Sequence, residues 1–400
     1  MIVYHHIGGR NGTYPMPIKN GPLLNDFHLV LYEPDVSCID HIKKNVNDQF
    51  KKVTVLPYCI GGETGKSTFH INYHATTSSI YDFDVEYSEY NRLDPNYGEY
   101  RLGPACKTCD KREIQKLSLA EALKQSSTPD IDYLSLDVQG AEFEILYGAR
   151  ELLEKRCLGI QLEFNFNPMY VEKKCFSDIN HLLIGLGFEL LDIHSVHSYS
   201  KCSLPIGFRG REQLMYGEAI YCKKVNQSHN PNDLLKIALF SLLNKNIGHC
   251  VHILNSFSKK ELELYSKNIQ ANYMPFLMEI LELIKNKDNY KLPCLFELLS
   301  HEEINQLYRV GKKEDFITKK NAALSSYYLD KDLNDITSWL STNETPFEAH
   351  LKKYGLKEIA DLVKTNRNMD GKLFKQLFSK VELKIRKKSN LRGYSYLNFH

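Results

Sequence analysis

Between residues 1 and 226, short apolar runs rich in β-branched and aromatic side chains alternate with stretches at helical spacing. Ile2–Ile7 predicts a first strand that runs into Gly8-Gly9. Phe27–Tyr32 (FHLVLY) predicts a second, closed by Glu33-Pro34-Asp35, with a helix over Asp40–Phe50 and a third strand over Val53–Pro57. Phe69–Tyr73 alternates and reads as an added strand or hairpin arm. Residues 74–112, tyrosine-rich with Gly, Pro and Asn, read as one long loop, and loops of that length usually carry function. Ser118 with Glu121 three positions on is a capping box, opening a helix through Lys124. Tyr133–Leu136 predicts a buried strand with Asp137 at its C-terminal end. A helix over Glu142–Glu154, a strand over Gly159–Phe164 and a helix over Ser177–Leu186 follow. Phe188–His194 and Glu218–Lys223 close the pattern as a strand pair. Such alternation implies an α/β fold with a mostly parallel, doubly wound sheet. Ligands bind such sheets at the C-terminal strand ends, near the switch point.

The period changes after the polar linker 226–230. Pro231 suits a first helical turn, and Leu234, Leu235, Ala238, Leu239, Leu242 and Leu243 then follow helical spacing. Ser258 with Glu261 and Ser300 with Glu303 are two more capping boxes, and Met278–Ile284 and Ile304–Tyr308 are amphipathic. Glycine supports the division: 17 of the 22 lie in residues 1–226, as strand–turn–helix alternation needs and helices avoid. The expected domains are an α/β domain over 1–226 and an all-α domain over 231–400.

Charge sharpens this picture. The near balance of 51 Lys+Arg against 49 Asp+Glu hides a segment, 372–392, with eight basic residues and one acidic. That segment could meet an anionic partner, a nucleic acid, glycan or membrane surface, or be a solvated helix face. A hydrophobic fraction of 42% and a charged fraction of 25% exclude a disordered, collagen-like or channel-forming chain. The start carries no signal peptide, and no apolar run approaches the roughly 20 residues that span a bilayer. Ten cysteines scattered through apolar segments read as reduced thiols, so the expected compartment is the cytoplasm. Cys106 and Cys109 form one CxxC without the second pair that a structural zinc site needs.

Candidate chemistry gathers at the predicted strand ends. Gly8, Gly9 and Gly12 follow the first strand, where glycine lets backbone approach a ligand closely. Glu33 ends the second strand, placed to accept hydrogen bonds from both ribose hydroxyls of an adenosine cofactor; plain turns remain the alternative. Asp137 would face the crevice, or else cap the following helix. His5-His6 is no zinc pair, because adjacent strand residues point to opposite faces.

Asp132-Tyr133-Leu134-Ser135-Leu136-Asp137-Val138-Gln139-Gly140-Ala141-Glu142 resembles, nearly residue by residue, the central motif of the FkbM-type family of S-adenosylmethionine-dependent methyltransferases. Leu31-Tyr32-Glu33-Pro34-Asp35 is similar to that family's Phe-Glu-Pro-Asp segment, and Leu56–Gly65, which contains Cys59, to its third-strand segment. Ser78-Ser79, Leu117-Ser118-Leu119, Gln161–Tyr170 and Gly187–Leu190 match in order, so the resemblance covers about residues 2–224. It implies a Rossmann-like class I methyltransferase sheet. It also implies cofactor contacts from His6, Gly8, Gly9, Gly12, Glu33, Pro34, Cys59 and Asp137. This sequence departs from the family in carrying His6 where an aspartate precedes the first glycine. Prolines 15, 17 and 22, with Gly21, break the helix expected after that loop.

The resemblance implies transfer of the cofactor's methyl to a hydroxyl of a sugar, glycan or other small molecule. Such a hydroxyl must shed its proton. Asp137, Glu163 and Asn165 could hold a divalent cation such as magnesium that lowers the acceptor pKa. Alternatively, Glu163 or His74 could act directly as base, and each could equally be a plain loop residue. The tyrosine-rich stretch 73–101 could close over an acceptor or pack against the helical half. Two other functions stay open: a non-catalytic binding protein on this fold, and an NAD-dependent oxidoreductase, for which the sequence supplies no GxGxxG.

Overall fold

A computed structural model of the chain describes residues 1–8, 21–46, 49–94, 98–203, 212–225, 229–269 and 271–285. Gly9, Gly12, the prolines at 15 and 17, the Ser300–Glu303 box, Ile304–Tyr308 and the basic segment 372–392 lie outside the described residues. The chain divides into two compact units, Met1–Leu277 and Met278–His400.

Strand β1 (Ile2–Ile7) is buried at every position because it is paired on both sides and covered on both faces. That is why its sequence is continuous rather than alternating. Beyond it come β2 (Phe27–Tyr32), the short α1 (Ile39–Asn45) and β3 (Lys52–Leu56). The predicted helix over Asp40–Phe50 ends early, at Val46, whose backbone is already extended. β4 (Cys59–Gly61) and β5 (Gly65–Asn72) follow.

The stretch predicted as one loop contains regular structure: β6 (Asn91–Asp94), β7 (Gly98–Arg101), the single turn α2 (Leu102–Ala105) and β8 (Thr108–Ser118). β8 pairs antiparallel with β5 and parallel with β4 in a small separate sheet. Its residues Cys109–Glu113 are all exposed, so no apolar alternation marks them. β6 and β7 pair with each other, and the segment is bridged to the main body at Phe83–Tyr170 and Asn91–Ser200. Arg92 anchors it, donating to Tyr216 Oη (3.2 Å) and Asp94 Oδ2 (3.0 Å) between the rings of Tyr100 and Tyr199.

Ser118 caps α3 (Leu119–Ser126), its hydroxyl accepting from the Glu121 N–H. After β9 (Tyr133–Leu136) the predicted single helix is two, α4 (Glu142–Gly148) and α5 (Arg150–Arg156), parted at Ala149 after a weak helix former, Gly148. β10 (Gly159–Asn165), α6 (Phe176–Gly185), β11 (Phe188–Tyr199) and β12 (Gln213–Lys223) complete the pattern.

The main sheet has the order β11-β12-β10-β9-β1-β2-β3, parallel except for β12, which runs antiparallel to both its neighbours. The direction of winding reverses between β1 and β9, which places the switch point there. On one face Val3, Ile7, Val30, Leu134, Leu136 and Ile160 pack against Leu119 and Leu123 of α3, Ile145 of α4 and Leu183 of α6. Each fully buried side chain of this kind stabilises the fold by about 1.5–3 kcal/mol. On the other face lies α7 (Pro231–Leu243), capped by Asn230 with Pro231 in its first turn. Its Phe240 ring sits 4.7 Å from that of Tyr133, and Lys236 pairs with Asp132. α8 (Ile247–Leu254), α9 (Lys259–Asn268), with the Ser258–Glu261 capping box formed, and α10 (Tyr273–Lys285) follow. Among the described residues no helix is long and apolar enough to cross a membrane.

Candidate functional site

The C-terminal ends of β1, β2 and β9 open on a crevice with roughly 900 Å³ of empty space, the solvent at its mouth included. Ile7 and Gly8 form its floor, Tyr32, Glu33 and Pro34 one wall, Tyr58, Cys59 and Ile60 a second, and Asp137, Val138 and Gln139 a third. Ala75, Thr76 and Ser78 reach it from the turn after β5.

Gly8 holds the floor open. Its φ is +110°, and a Cβ there would stand 2.0 Å from the Asp137 carbonyl oxygen. The Asp137 N–H donates to the Ile7 carbonyl (3.0 Å), so the β9 end is tied against the β1 end. Glu33 is 4% exposed, and its Oε1 accepts from the Asp35 N–H at 2.8 Å. Burial, with Glu33 nearby, pushes the Cys59 thiol up to about 11 despite Lys116, so it stays neutral against the wall.

His6 lies under this floor, not in the crevice. It is buried, with Nδ1 3.0 Å from Ser135 Oγ, and burial lowers it to about 4. His5 points the other way, to Tyr32 Oη at 2.9 Å, as strand alternation requires. Both rings are neutral at physiological pH. His74 precedes the lining residues Ala75 and Thr76 without lining the crevice itself; its Nδ1 meets Thr76 Oγ1 at 2.7 Å and its ring edges onto Tyr100.

Asp137 and Glu163 are brought together, and the group between them is an amide. Gln139 Nε2 donates to Asp137 Oδ1 (2.7 Å) and to Glu163 Oε1 (3.0 Å). Although Asp137 is solvent-exposed through the crevice, desolvation by the surrounding walls, and then the nearby Glu142 and Glu218 charges, push its carboxyl up to about 6, with Gln139 and Lys173 opposing. Burial, then Asp137 and Glu142, raise Glu163 further. The third expected metal ligand is otherwise engaged: Asn165 Oδ1 accepts from the Lys173 ammonium at 3.0 Å. Among the described residues no group of three or more His, Cys, Asp or Glu is arranged to hold a metal ion. A glutamine amide bridges the two carboxylates, and a lysine ammonium bonds Asn165 and Glu142.

Four residues that the sequence reasoning did not single out shape this corner. Lys173 pairs with Glu142 at 3.1 Å, the two side chains 1% and 0% exposed. Glu142 in turn accepts from the Val138 and Gly140 N–H groups (3.1–3.2 Å) and so fixes the turn after β9. Ser79 Oγ donates to the Gln139 carbonyl at 2.6 Å, and Tyr170 Oη to Gln139 Oε1 at 3.2 Å. Ser79 and Gln139 were visible only as letters of matching motifs. Tyr170 was likewise visible only as the last letter of the matching segment Gln161–Tyr170, and Lys173 lies just beyond it with no local signature.

A crevice at the switch point of a mostly parallel α/β sheet, with an acidic residue at the second strand end, is where folds of this class bind their ligands. Residues 8–190 match the family model of the Methyltransferase FkbM domain. The match supports a methyltransferase over a nicotinamide-dependent oxidoreductase. Among solved structures, the chain is similar to methyltransferase FkbM from Methylobacillus flagellatus KT at 11% identity and a TM-score of 0.25, over 49% of this chain and 36% of that one. It thus spans about a third of that protein's length. A candidate RNA methyltransferase from Pyrococcus horikoshii is similar at 12% identity and a TM-score of 0.27, over 56% of this chain and 74% of that one. Likenesses this slight transfer no geometry. No curated protein is significantly similar to the chain in sequence.

Proposed function

We propose that the protein is an S-adenosylmethionine-dependent methyltransferase that methylates a hydroxyl of a sugar, glycan or other small molecule. The observation that carries this reading is the convergence of Glu33 and Asp137 on one crevice whose floor is the bare backbone of Gly8. The residues present fit the cofactor. Glu33 offers carboxylate oxygens for the ribose hydroxyls, and Tyr58, Cys59 and Ile60 give a flat apolar wall for the adenine. Pro34 and Gly8 bound the space between.

The bound cofactor supplies an already activated methyl on a sulfonium. The chain's task is to orient the acceptor oxygen in line with that carbon and sulfur, exclude water and take one proton. With the cofactor bound, a carboxylate of the chain would take the proton that the acceptor hydroxyl sheds. Glu33 is assigned to the ribose, which leaves Asp137 as the crevice carboxylate free for the proton, and a carboxyl raised to about 6 suits a base at neutral pH. Glu163 stands behind it, outside the lining, and His74 is not needed for this step. The division into domains 1–226 and 231–400 and a cytoplasmic location belong to the same proposal. Helices α7 to α9 support a change to helix after residue 230, though within the unit Met1–Leu277, and nine free cysteines among the described residues support the second.

Isothermal titration with S-adenosylmethionine tests the reading directly, and no binding at millimolar cofactor would overturn it. His6, buried where the family has an aspartate, favours a second reading: a binding protein on this fold that performs no transfer. Cofactor binding with no S-adenosylhomocysteine formed across a panel of sugars and sugar nucleotides would select it.

A further inference from the structure

We propose that Gln139 is a positioning residue of the acceptor site: its amide holds Asp137 toward the crevice and Glu163 behind it. This rests on the methyltransferase reading of the same crevice.

The backbone of Gln139 sits at φ 54°, a left-handed conformation that a non-glycine residue adopts at a cost, and Gly140 beside it is at φ 126°. The surroundings hold it there from three sides. Ser79 donates to its carbonyl at 2.6 Å, and Tyr170 donates to its side-chain oxygen at 3.2 Å. Glu142 accepts from the next N–H, that of Gly140. Both donors of the amide are then directed at carboxylates, 2.7 Å to Asp137 and 3.0 Å to Glu163.

An amide suits this place. Two carboxylates side by side repel one another, and a neutral group with two N–H donors can bond both and fix their separation without adding charge. A glutamate of the same shape would add a third acceptor. The charged groups facing the pair are Glu142 and Lys173 from α4 and the loop before α6, and Glu218 from β12. Glu218 itself is held by Gln161 and His194. None of these lies between the two carboxylates as the Gln139 amide does. Asp137 and Gln139 both line the crevice whereas Glu163 does not, so of the bridged pair an incoming hydroxyl meets Asp137. The clamp also ties the acceptor corner to the tyrosine-rich segment through Ser79.

The test uses the full chain labelled with ¹³C at the Asp and Glu carboxyls, titrated by NMR without cofactor. Asp137→Asn and Glu163→Gln variants identify the two signals. Gln139→Leu removes both donors and should raise the Asp137 midpoint by about one pH unit. Gln139→Asn tolerates the left-handed backbone but is too short to span both carboxylates, and should give a smaller shift of the same sign. S-adenosylmethionine affinity, measured by calorimetry on the same variants, should change less than about threefold, since the amide orients the acceptor side. An unchanged midpoint in both variants would overturn the proposal. So would a cofactor affinity that falls tenfold or more together with the shift, because Gln139 would then serve the cofactor. If the wild-type chain binds no cofactor, the methyltransferase reading fails separately and the titration still decides whether Gln139 sets the pair.

Discussion

Lys173→Met replaces a buried ammonium by an apolar side chain of similar length. In the wild type that ammonium lies 3.1 Å from Glu142 Oε2 and 3.0 Å from Asn165 Oδ1, with the Lys173 and Glu142 side chains 1% and 0% exposed. The substitution leaves Glu142 with only the Val138 and Gly140 N–H groups as partners, away from water. Breaking one side of a buried ion pair costs about 3–5 kcal/mol, a large share of the roughly 5–15 kcal/mol that keeps a domain folded. At about 2–4 °C per kcal/mol for a unit of this size, the melting temperature should fall by roughly 6–20 °C. Circular dichroism melts of wild type, Lys173→Met, Glu142→Gln and the double variant form a cycle. The double variant should be more stable than the sum of the single losses predicts, by about 1–3 kcal/mol, because neither leaves an unpaired charge once both are changed. Asp137 should also titrate higher in Lys173→Met, since the ammonium now holds its carboxyl down. A single variant within about 1 kcal/mol of wild type would refute the view that this pair organises the turn after β9.

Three further outcomes follow from the crevice. Gly8→Ala drives a Cβ into the Asp137 carbonyl at 2.0 Å from a φ of +110°, so it should destabilise by about 2 kcal/mol or more and weaken cofactor binding at least tenfold, read by melting and calorimetry. Glu33→Gln replaces charged by neutral acceptors and should raise the S-adenosylmethionine dissociation constant about 10- to 100-fold at unchanged melting temperature; an equal affinity would remove Glu33 from the ribose. Because the folded Asp137 carboxyl titrates near 6, above its ordinary 3.8, its protonated form favours the fold. That contribution is present below about pH 4 and is lost as pH rises through 6, so Asp137→Asn should flatten this part of the stability profile while abolishing transfer.

Much of the architecture was legible because burial leaves its mark on composition. β1, β2 and β9 are buried at every position and read as continuous apolar runs. Ser118, Asn230 and Ser258 announced helix starts through local side-chain-to-backbone bonds that need no tertiary partner. β8 was illegible for the converse reason: a strand carrying Asp110, Lys111 and Arg112 in sequence is held by its ladder with β5, not by alternate burial. Of the candidate site residues, Gly8, Glu33, Pro34, Cys59 and Asp137 line the crevice, whereas His6 and His74 do not. Strand order and direction could place a residue near a strand end, but not decide which side of the sheet floor its ring would enter.

The sequence by itself determined the alternation of strands and helices, the placement of an acidic residue at two strand ends, and the motif around Asp137, since each depends on neighbours in the chain. Only the tertiary structure decided what stands between Asp137 and Glu163. A glutamine two residues on, a lysine from a loop before α6, a serine after β5 and a tyrosine before α6 converge there. Those contacts join residues up to 60 positions apart in the chain, as the Ser79–Gln139 bond does. Their energies exist only once the sheet has assembled, so no local pattern could signal that a buried ammonium and an amide meet in this corner.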